Sequence, residues 1–225
     1  MMVNSGHAKH VLAGTCSHNC SVEKQFRYPT EYGSQKPPTA QNTVTGAGAA
    51  VLAKHGKGPV VTGATIGRVV DMGIKDPLNM GAAMAPAAVD TIEAHMRDFK
   101  REPGYYDLIV TGDLAKVGYE IANDLFKKHN IPIQQTQYND CGLMIYDLEK
   151  QAFQAGASGC GCSAAVTYGH LMKKKLKKRR TEPDPCRCDR SPSFSPVFSA
   201  GRKYPMYCAC RGHREYLKKP KKLAA

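Results

Sequence analysis

The sequence predicts an α/β fold in which a layered sheet packs against helices, followed by a basic segment of different character. Apolar, strand-like runs alternate with segments that repeat apolar residues at helical spacing, which is typical of layered α/β domains. The 225 residues are 42% hydrophobic and 23% charged, ordinary values for a globular protein. The sequence has no run near the roughly 18 apolar residues of a membrane span, and it shows no secretory signal, so we expect neither.

The amino-terminal part of the sequence contains strand-like runs around one long polar loop. Residues 9–14 form a short apolar run that ends at glycine and predict a buried strand. Residues 15–38 are polar and longer than an ordinary connection, which favours a functional loop. Residues 43–52 are small and apolar. Residues 60–71 are rich in β-branched residues with glycine interruptions, which predicts a twisted strand.

The middle of the sequence predicts a helix followed by a strand. Four apolar residues recur at spacings of three and four, namely Val89, Ile92, Met96 and Phe99. This spacing places them on one face of a helix. Pro86 suits the first turn of that helix, where its missing N–H group costs nothing. Residues 106–110 then form an apolar run that predicts a strand.

Two further helices are predicted beyond this strand. Asp113 can cap the first of them, whose apolar face comprises Leu114, Val117, Ile121 and Leu125. Ser163 can cap the second, which runs to about residue 178. The glycine-rich block at 156–165 precedes it and favours close backbone approach. Gly46 and Gly48 lack the third glycine of a dinucleotide fingerprint, so they too favour close packing of small residues.

The residues after the first predicted strand offer the clearest ligand chemistry. Ser17 and His18 follow the strand closely, and open α/β sheets bind ligands at the carboxyl ends of their strands. We therefore expect both side chains to bind a small acidic ligand, although a purely structural role for His18 is the alternative. Cys16, His18 and Cys20 could also bind a metal, but a zinc site needs a second, distant pair of ligands. We predict no metal and no cofactor.

The positive charge is confined to the end of the chain. The net charge is +13, yet residues 1–170 contain 15 Lys and Arg against 15 Asp and Glu. Residues 171–225 contain 17 basic and 4 acidic residues. Five of the nine cysteines lie in the neutral part and four in the basic part. Without a secretory signal we expect a reducing compartment and no disulfide framework.

Residues 8–178 contain several segments that together resemble a known family. They are SHN at 17–19, QFRYPTEYG at 25–33, TVTGAGAAVL at 43–52, DMGIKDPLNMGAAMAP at 71–86, QTQYNDCG at 135–142 and GASGCGCSAAVTYGHL at 156–171. They resemble the stage V sporulation protein AD family of endospore-forming bacteria, which is thiolase-like. The resemblance implies part of a five-layer αβαβα thiolase fold. Residues 1–58 would then be a remnant of its amino-terminal half, and residues 59–178 part of its carboxy-terminal half.

The family resemblance also implies a function, namely binding of dipicolinic (pyridine-2,6-dicarboxylic) acid during its uptake into the forespore. Compared with the related beta-ketoacyl-ACP synthases, Asp113 replaces the catalytic His and Gly159 lies at the turn of the catalytic Asn. Acyl transfer needs a base and an oxyanion donor, so these replacements predict a binder rather than an enzyme. We expect Ser17, His18, Asp113 and Gly159 to bind the ligand. An acyltransferase similar to the synthases is the alternative.

The same resemblance implies partners and a location. The expected partners are dipicolinic acid and other stage V sporulation membrane proteins, and the intact family is expected to form a homodimer. The expected location is the cytoplasm or the periphery of the forespore inner membrane.

Residues 179–225 do not resemble the family. Their basic composition predicts a disordered arm. A nucleic-acid-binding arm or a zinc knuckle is the alternative, but we expect no nucleic-acid partner because basic and aromatic residues do not interleave. When the tail is back-translated and read one base later, permitted codons can yield a sequence similar to the family. In that frame, the shifted codon at Met206 begins with TG and can encode the family's Cys. We therefore predict a frameshift after about residue 178, and we expect the family's first third to be missing before residue 8.

Overall fold

The computed structural model describes residues 2–19, 38–56, 59–76 and 78–175, and three short strands near the end of the chain. The strands are β1 (His10–Ser17), β2 (Gln41–Thr43), β3 (Gly46–Ala53), β4 (Val61–Gly63), β5 (Leu108–Thr111), β6 (Tyr138–Asp140), β7 (Gly156–Ser158), β8 (Phe194–Phe198), β9 (Met206–Tyr207) and β10 (Ala209–Cys210). The α-helices are α1 (Met80–Phe99), α2 (Ala115–Lys128), α3 (Cys141–Met144) and α4 (Cys160–Ala164). A 3₁₀ turn (Pro103–Tyr105) precedes β5, and a π-helical stretch (Ala165–Lys175) continues α4.

The described strands form three sheets. In the largest, β5 pairs in parallel with β6 on one side and β8 on the other, and β4, β9 and β10 extend the sheet. β2 and β7 form a parallel pair with Thr43 opposite Ser158. β1 and β3 form an antiparallel pair with Ser17 opposite Gly46. Helices alternate with these strands along the chain, which confirms the predicted α/β class.

The β1–β3 pair has one covered face and one bare face. Because side chains alternate across a strand, Ser17 and Gly48 lie on the face that packs against α4 and the π-helical stretch. A Cβ atom on Gly48 would lie 2.8 Å from the Cβ of Ala164, which confirms that this glycine serves close packing. Leu12 and Val51 are cross-strand partners on the other face, where they are 71% and 70% exposed.

α1 is longer than the sequence predicted. The helix begins at Met80, where the side chain of Asn79 accepts a hydrogen bond from the first turn. The predicted start near Pro86 is therefore wrong, because Asn79 supplies the N-cap and the proline lies inside the helix. The predicted apolar face is confirmed, since Val89 and Ile92 are buried in the main core.

α1 and α2 touch each other through their backbones at Gly81 and Gly118. A Cβ atom on Gly118 would lie 2.8 Å from the carbonyl oxygen of Gly81 and 2.9 Å from its Cα. Buried apolar side chains from both helices belong to the main core: Met84, Ala85, Ala88, Val89, Ile92, Ala122 and Phe126. In the parts of the chain that the structure describes, no helix has the length and apolar character to cross a membrane.

Two predicted helix caps are not used. Asp113 does not cap α2, because its side chain turns to the backbone of Gly159. The carboxylate of Asp140 binds the first N–H groups of α2 instead. α4 begins at Cys160, so Ser163 lies within the helix.

The strands differ from the prediction at three places. β1 continues to Ser17, three residues past the predicted end, and only Val61–Gly63 of the predicted strand at 60–71 pairs in a sheet. In the tail, the structure describes three short strands, β8, β9 and β10. β8 contains β-favouring Phe and Val residues and pairs with the edge of β5. Most of the tail, and residues 20–37 of the predicted loop, lie outside the described residues. The frameshift and the domain boundaries stay predictions.

Candidate ligand-binding site

The candidate site lies where the carboxyl ends of β1, β2, β5 and β7 meet. β2 and β7 end side by side, since Thr43 is opposite Ser158. Ser17 ends β1 and binds the turn after β7, and Asp113 follows β5 and binds the same turn. The structure therefore brings Ser17, Asp113 and Gly159 together and leaves His18 at the rim. Their binding of a ligand stays a prediction.

Ser17 joins β1 to the first turn of α4. Its hydroxyl donates to the carbonyl of Val44 at 2.6 Å and accepts from the N–H of Gly161 at 3.0 Å. Because Val44 takes its only proton, Ser17 holds the turn in place instead of offering a free donor. Gly159 has φ +100°, and a Cβ there would lie 2.9 Å from the Ser17 Oγ, so the turn requires glycine.

The carboxylate of Asp113 binds the glycine-rich turn. Its Oδ2 accepts a hydrogen bond from the N–H of Gly159 at 3.0 Å and lies 3.5 Å from the hydroxyl of Ser158. Its backbone carbonyl accepts from the side-chain amide of Gln41 at 2.7 Å. Asp113 is only 7% exposed. The negative charge is therefore buried at the base of the site, against the backbone of the turn.

The rim of the site is exposed and consists of His18, Asn19, Thr45 and Cys160. The hydroxyl of Thr45 lies 3.1 Å from Nδ1 of His18 and accepts from the N–H of Asn19 at 3.0 Å. In the tautomer in which Thr45 donates to Nδ1, the Nε2 atom of His18 carries the proton and can donate to a ligand. The thiol of Cys160 lies 3.1 Å from the carbonyl oxygen of Cys16.

Asp140 supports the site from beneath, and the sequence analysis missed it. Its carboxylate accepts four hydrogen bonds of 2.6–3.0 Å, from the hydroxyl of Thr111 and the N–H groups of Leu114, Ala115 and Gly142. These bonds hold the turn between β5 and α2 that carries Asp113. Burial raises the pKa of Asp140, and the hydrogen bonds oppose that rise. The sequence does contain a signal for this role, because Asp140 is a lone acidic residue within an otherwise uncharged run. If such a residue is buried, its carboxylate needs polar partners.

Two buried thiols lie behind the site. Burial raises the pKa of both Cys141 and Cys162, and the charges of Asp140 and Asp113 raise them further. Because the thiolate is the nucleophilic form, neither is an activated nucleophile. Among the described residues, no three His, Cys, Asp or Glu side chains come together as metal ligands.

The layered α/β fold is that of the thiolase-like class of proteins. The solved 3-oxoacyl-[acyl-carrier-protein] synthase III from Aquifex aeolicus VF5 is 12% identical and matches 94% of this chain and 60% of its own, with a TM-score of 0.54. Cerulenin-bound OleA from Xanthomonas campestris is 15% identical and matches 94% of this chain and 59% of its own, with a TM-score of 0.58. Both likenesses concern the fold alone, and they confirm the predicted thiolase-like fold.

Within that class, the chain belongs to the Stage V sporulation protein AD family. The sequence model of this family matches residues 1–182. The chain is similar to Stage V sporulation protein AD of Bacillus subtilis (strain 168), with 53% identity over 173 residues. The match covers 77% of this chain and 51% of the relative, so the chain spans about half the length of that curated relative. The resemblance predicted from the sequence is therefore confirmed, and the chain is a member of a family of sporulation proteins.

Proposed function

We propose that this chain takes part in binding dipicolinic acid during sporulation, at the strand ends around Gly159, and that it does not catalyse acyl transfer. The observation that carries the proposal is the hydrogen bond between the carboxylate of Asp113 and the N–H of Gly159. The resemblance to the synthases places their catalytic His and Asn at these two positions. A buried carboxylate that binds the amide of the turn supplies neither a neutral imidazole base nor a free oxyanion donor.

The exposed rim supplies groups that suit a dicarboxylate. Dipicolinate carries two carboxylates on a flat ring, and carboxylates bind N–H donors strongly. His18 can donate through Nε2, and the side chain of Asn19 is exposed beside it. The charge of Asp113 is directed at Gly159 and buried, which limits its repulsion of the ligand. Ser17 contributes indirectly, by holding the N–H of Gly161.

Calorimetric titration of dipicolinate into the full chain tests the proposal. A hydrogen bond to a charged group contributes about 1.5–3 kcal/mol, and about 1.4 kcal/mol corresponds to tenfold in affinity. We therefore expect His18→Ala to weaken binding by about tenfold. We expect a similar loss for Ser17→Ala, because the turn loses its anchor. His10→Ala is the matched control, since His10 is exposed at the other end of β1.

Two results would contradict this proposal. Equal affinity of His18→Ala and the unsubstituted chain would exclude His18 from the site. No binding by the unsubstituted chain would refute dipicolinate binding by this polypeptide.

An acyltransferase is the second candidate function, and its support is the likeness to the solved synthase. Turnover of acyl-CoA or acyl-ACP by the full chain, lost in Asp113→Ala, would favour it over a binder.

We also propose partners and a location from the family membership. The chain would act with other stage V sporulation membrane proteins, as a homodimer, in the cytoplasm or at the periphery of the forespore inner membrane. Co-purification from sporulating cells tests the partners, and analytical ultracentrifugation tests the dimer.

A further inference from the structure

A cavity lies between the carboxyl ends of α1 and α2, at the end of α2 opposite to the candidate site. Its volume is about 280 Å³. Three basic residues line it, Arg97, Lys100 and Arg101, against the two acidic residues Glu93 and Glu102. The cavity therefore has an excess of positive charge within a part of the chain that is neutral as a whole.

Arg101 is the central residue of this cavity. Its guanidinium lies 5.0 Å from the ring centre of Phe99 and 4.6 Å from that of Tyr105. Its Nη1 atom and the hydroxyl of Tyr106 are both buried, and the guanidinium interacts with that hydroxyl. In the ranges that the structure describes, no carboxylate forms an ion pair with Arg101. The half-buried guanidinium therefore has aromatic neighbours and the Tyr106 hydroxyl beside it, but no anionic partner among the described residues.

The surroundings compensate the positive charge of the cavity only in part. The last carbonyl groups of α1 already accept hydrogen bonds from the N–H groups of Lys100 and Arg101, which satisfies the negative end of that helix. The carboxylate of Glu93 lies 2.8 Å from the ring of His129, with which it pairs. Arg97 pairs with Asp98 at 3.4 Å, and Glu102 also lines the cavity. An incoming anion would therefore meet mainly Lys100 and Arg101.

We propose that this cavity binds a small oxyanion, a phosphate or a carboxylate, with the guanidinium of Arg101 as its main ligand. The planar guanidinium presents parallel N–H donors that match two oxygens of either anion. Such an anion would supply an acceptor for the buried donors of Arg101 and Tyr106. Lys100 and Arg97 are exposed and would add charge at the mouth. This site is separate from the candidate site around Gly159 and does not depend on dipicolinate binding there.

Calorimetry of the full chain in a low-chloride buffer tests the proposal, with inorganic phosphate and acetate as separate probes. We expect Arg101→Lys to weaken phosphate binding by about tenfold, because the paired donors are lost. Lys100→Gln removes an exposed charge without touching the core, and should weaken it severalfold. Lys54→Gln is the matched control, because Lys54 is an exposed lysine beside β3. His18→Ala should leave phosphate affinity unchanged.

Each result has a defined meaning. Selective weakening by the variants at positions 100 and 101 supports the site, and competition between acetate and phosphate shows that it accepts either oxyanion. Binding of only one probe also supports the site and identifies the class of ligand. The proposal is overturned if neither probe binds the unsubstituted chain. It is also overturned if Lys100→Gln and Lys54→Gln weaken binding equally, or if neither weakens it.

Discussion

Replacing Gly118 by alanine should destabilise the protein, although alanine is the better helix former. In a helix interior, alanine is favoured over glycine by about 1 kcal/mol. The new Cβ would, however, lie 2.8–3.0 Å from the oxygen, Cα and carbonyl carbon of Gly81. Non-bonded carbon atoms prefer about 3.5–4.0 Å. All three neighbours are backbone atoms of α1, so no side-chain rotation relieves the contact and the two helices must separate.

The size of the loss follows from these opposing effects. Overpacking a core costs about 1–3 kcal/mol, and moving a whole helix places Gly118→Ala at the upper end of that range. After the gain in helix propensity is subtracted, the net loss is about 2 kcal/mol. For a chain of this length, such a loss lowers Tm by about 4–8 °C.

Urea unfolding followed by circular dichroism measures this effect. Gly169→Ala is the matched control, because a Cβ at Gly169 would meet no atom within 4 Å. The control should be as stable as the unsubstituted chain, or more stable by up to about 1 kcal/mol. If Gly118→Ala unfolds at the same or a higher urea concentration than the unsubstituted chain, the reasoning about the helix contact is refuted.

Two further predictions concern buried polar groups. Asp140→Asn should lower the free energy of unfolding by about 3 kcal/mol or more, because the new amide nitrogen would face N–H donors in place of a charged acceptor. Urea unfolding measures this loss. An effect no larger than that of the exposed control Asp124→Asn would contradict the prediction. His95 forms a buried hydrogen bond to Thr65 at 2.8 Å, and burial, assisted by the charge of Arg101, lowers its pKa from 6.5. The unfolded chain then takes up this proton at a higher pH than the folded chain, so stability should fall as the pH drops below about 6.5. Urea midpoints at pH 7.5 and 5.5 test this, and a pH dependence unchanged in His95→Leu would assign the effect to other groups.

Part of the site could be predicted because it depends on a strand end. Ser17 closely follows a predicted strand, and ligands bind at the carboxyl ends of such strands. Asp113 and Gly159 were expected at the site only from the resemblance to the synthases. The role of Asp140 could not be predicted in the same way. Its hydrogen-bond donors come from Thr111, from the start of α2 and from α3, and only the tertiary structure brings these segments to one carboxylate.

Helix faces were easier to predict than helix ends. The spacing of Val89 and Ile92 placed both in the core, because the period of a helix follows from local geometry. The start of α1 depended on one side-chain bond from Asn79, and Pro86 pointed to the wrong position. β8 was not predicted, because its five residues show little of the alternating pattern of a strand. They form a strand by pairing with the open edge of β5.

The bond between Ser17 and Gly161 joins residues that are 144 positions apart in the chain. A ribosome that adds roughly 5–20 residues per second needs about 7–30 s to synthesise that interval. For most of that time both β1 and β3 have been synthesised, but the helix that covers their inner face has not. The β1–β3 pair must therefore avoid aggregation until α4 has been synthesised. The length of that period depends on the number of residues between β3 and α4, and not on the stability of the contact that finally forms.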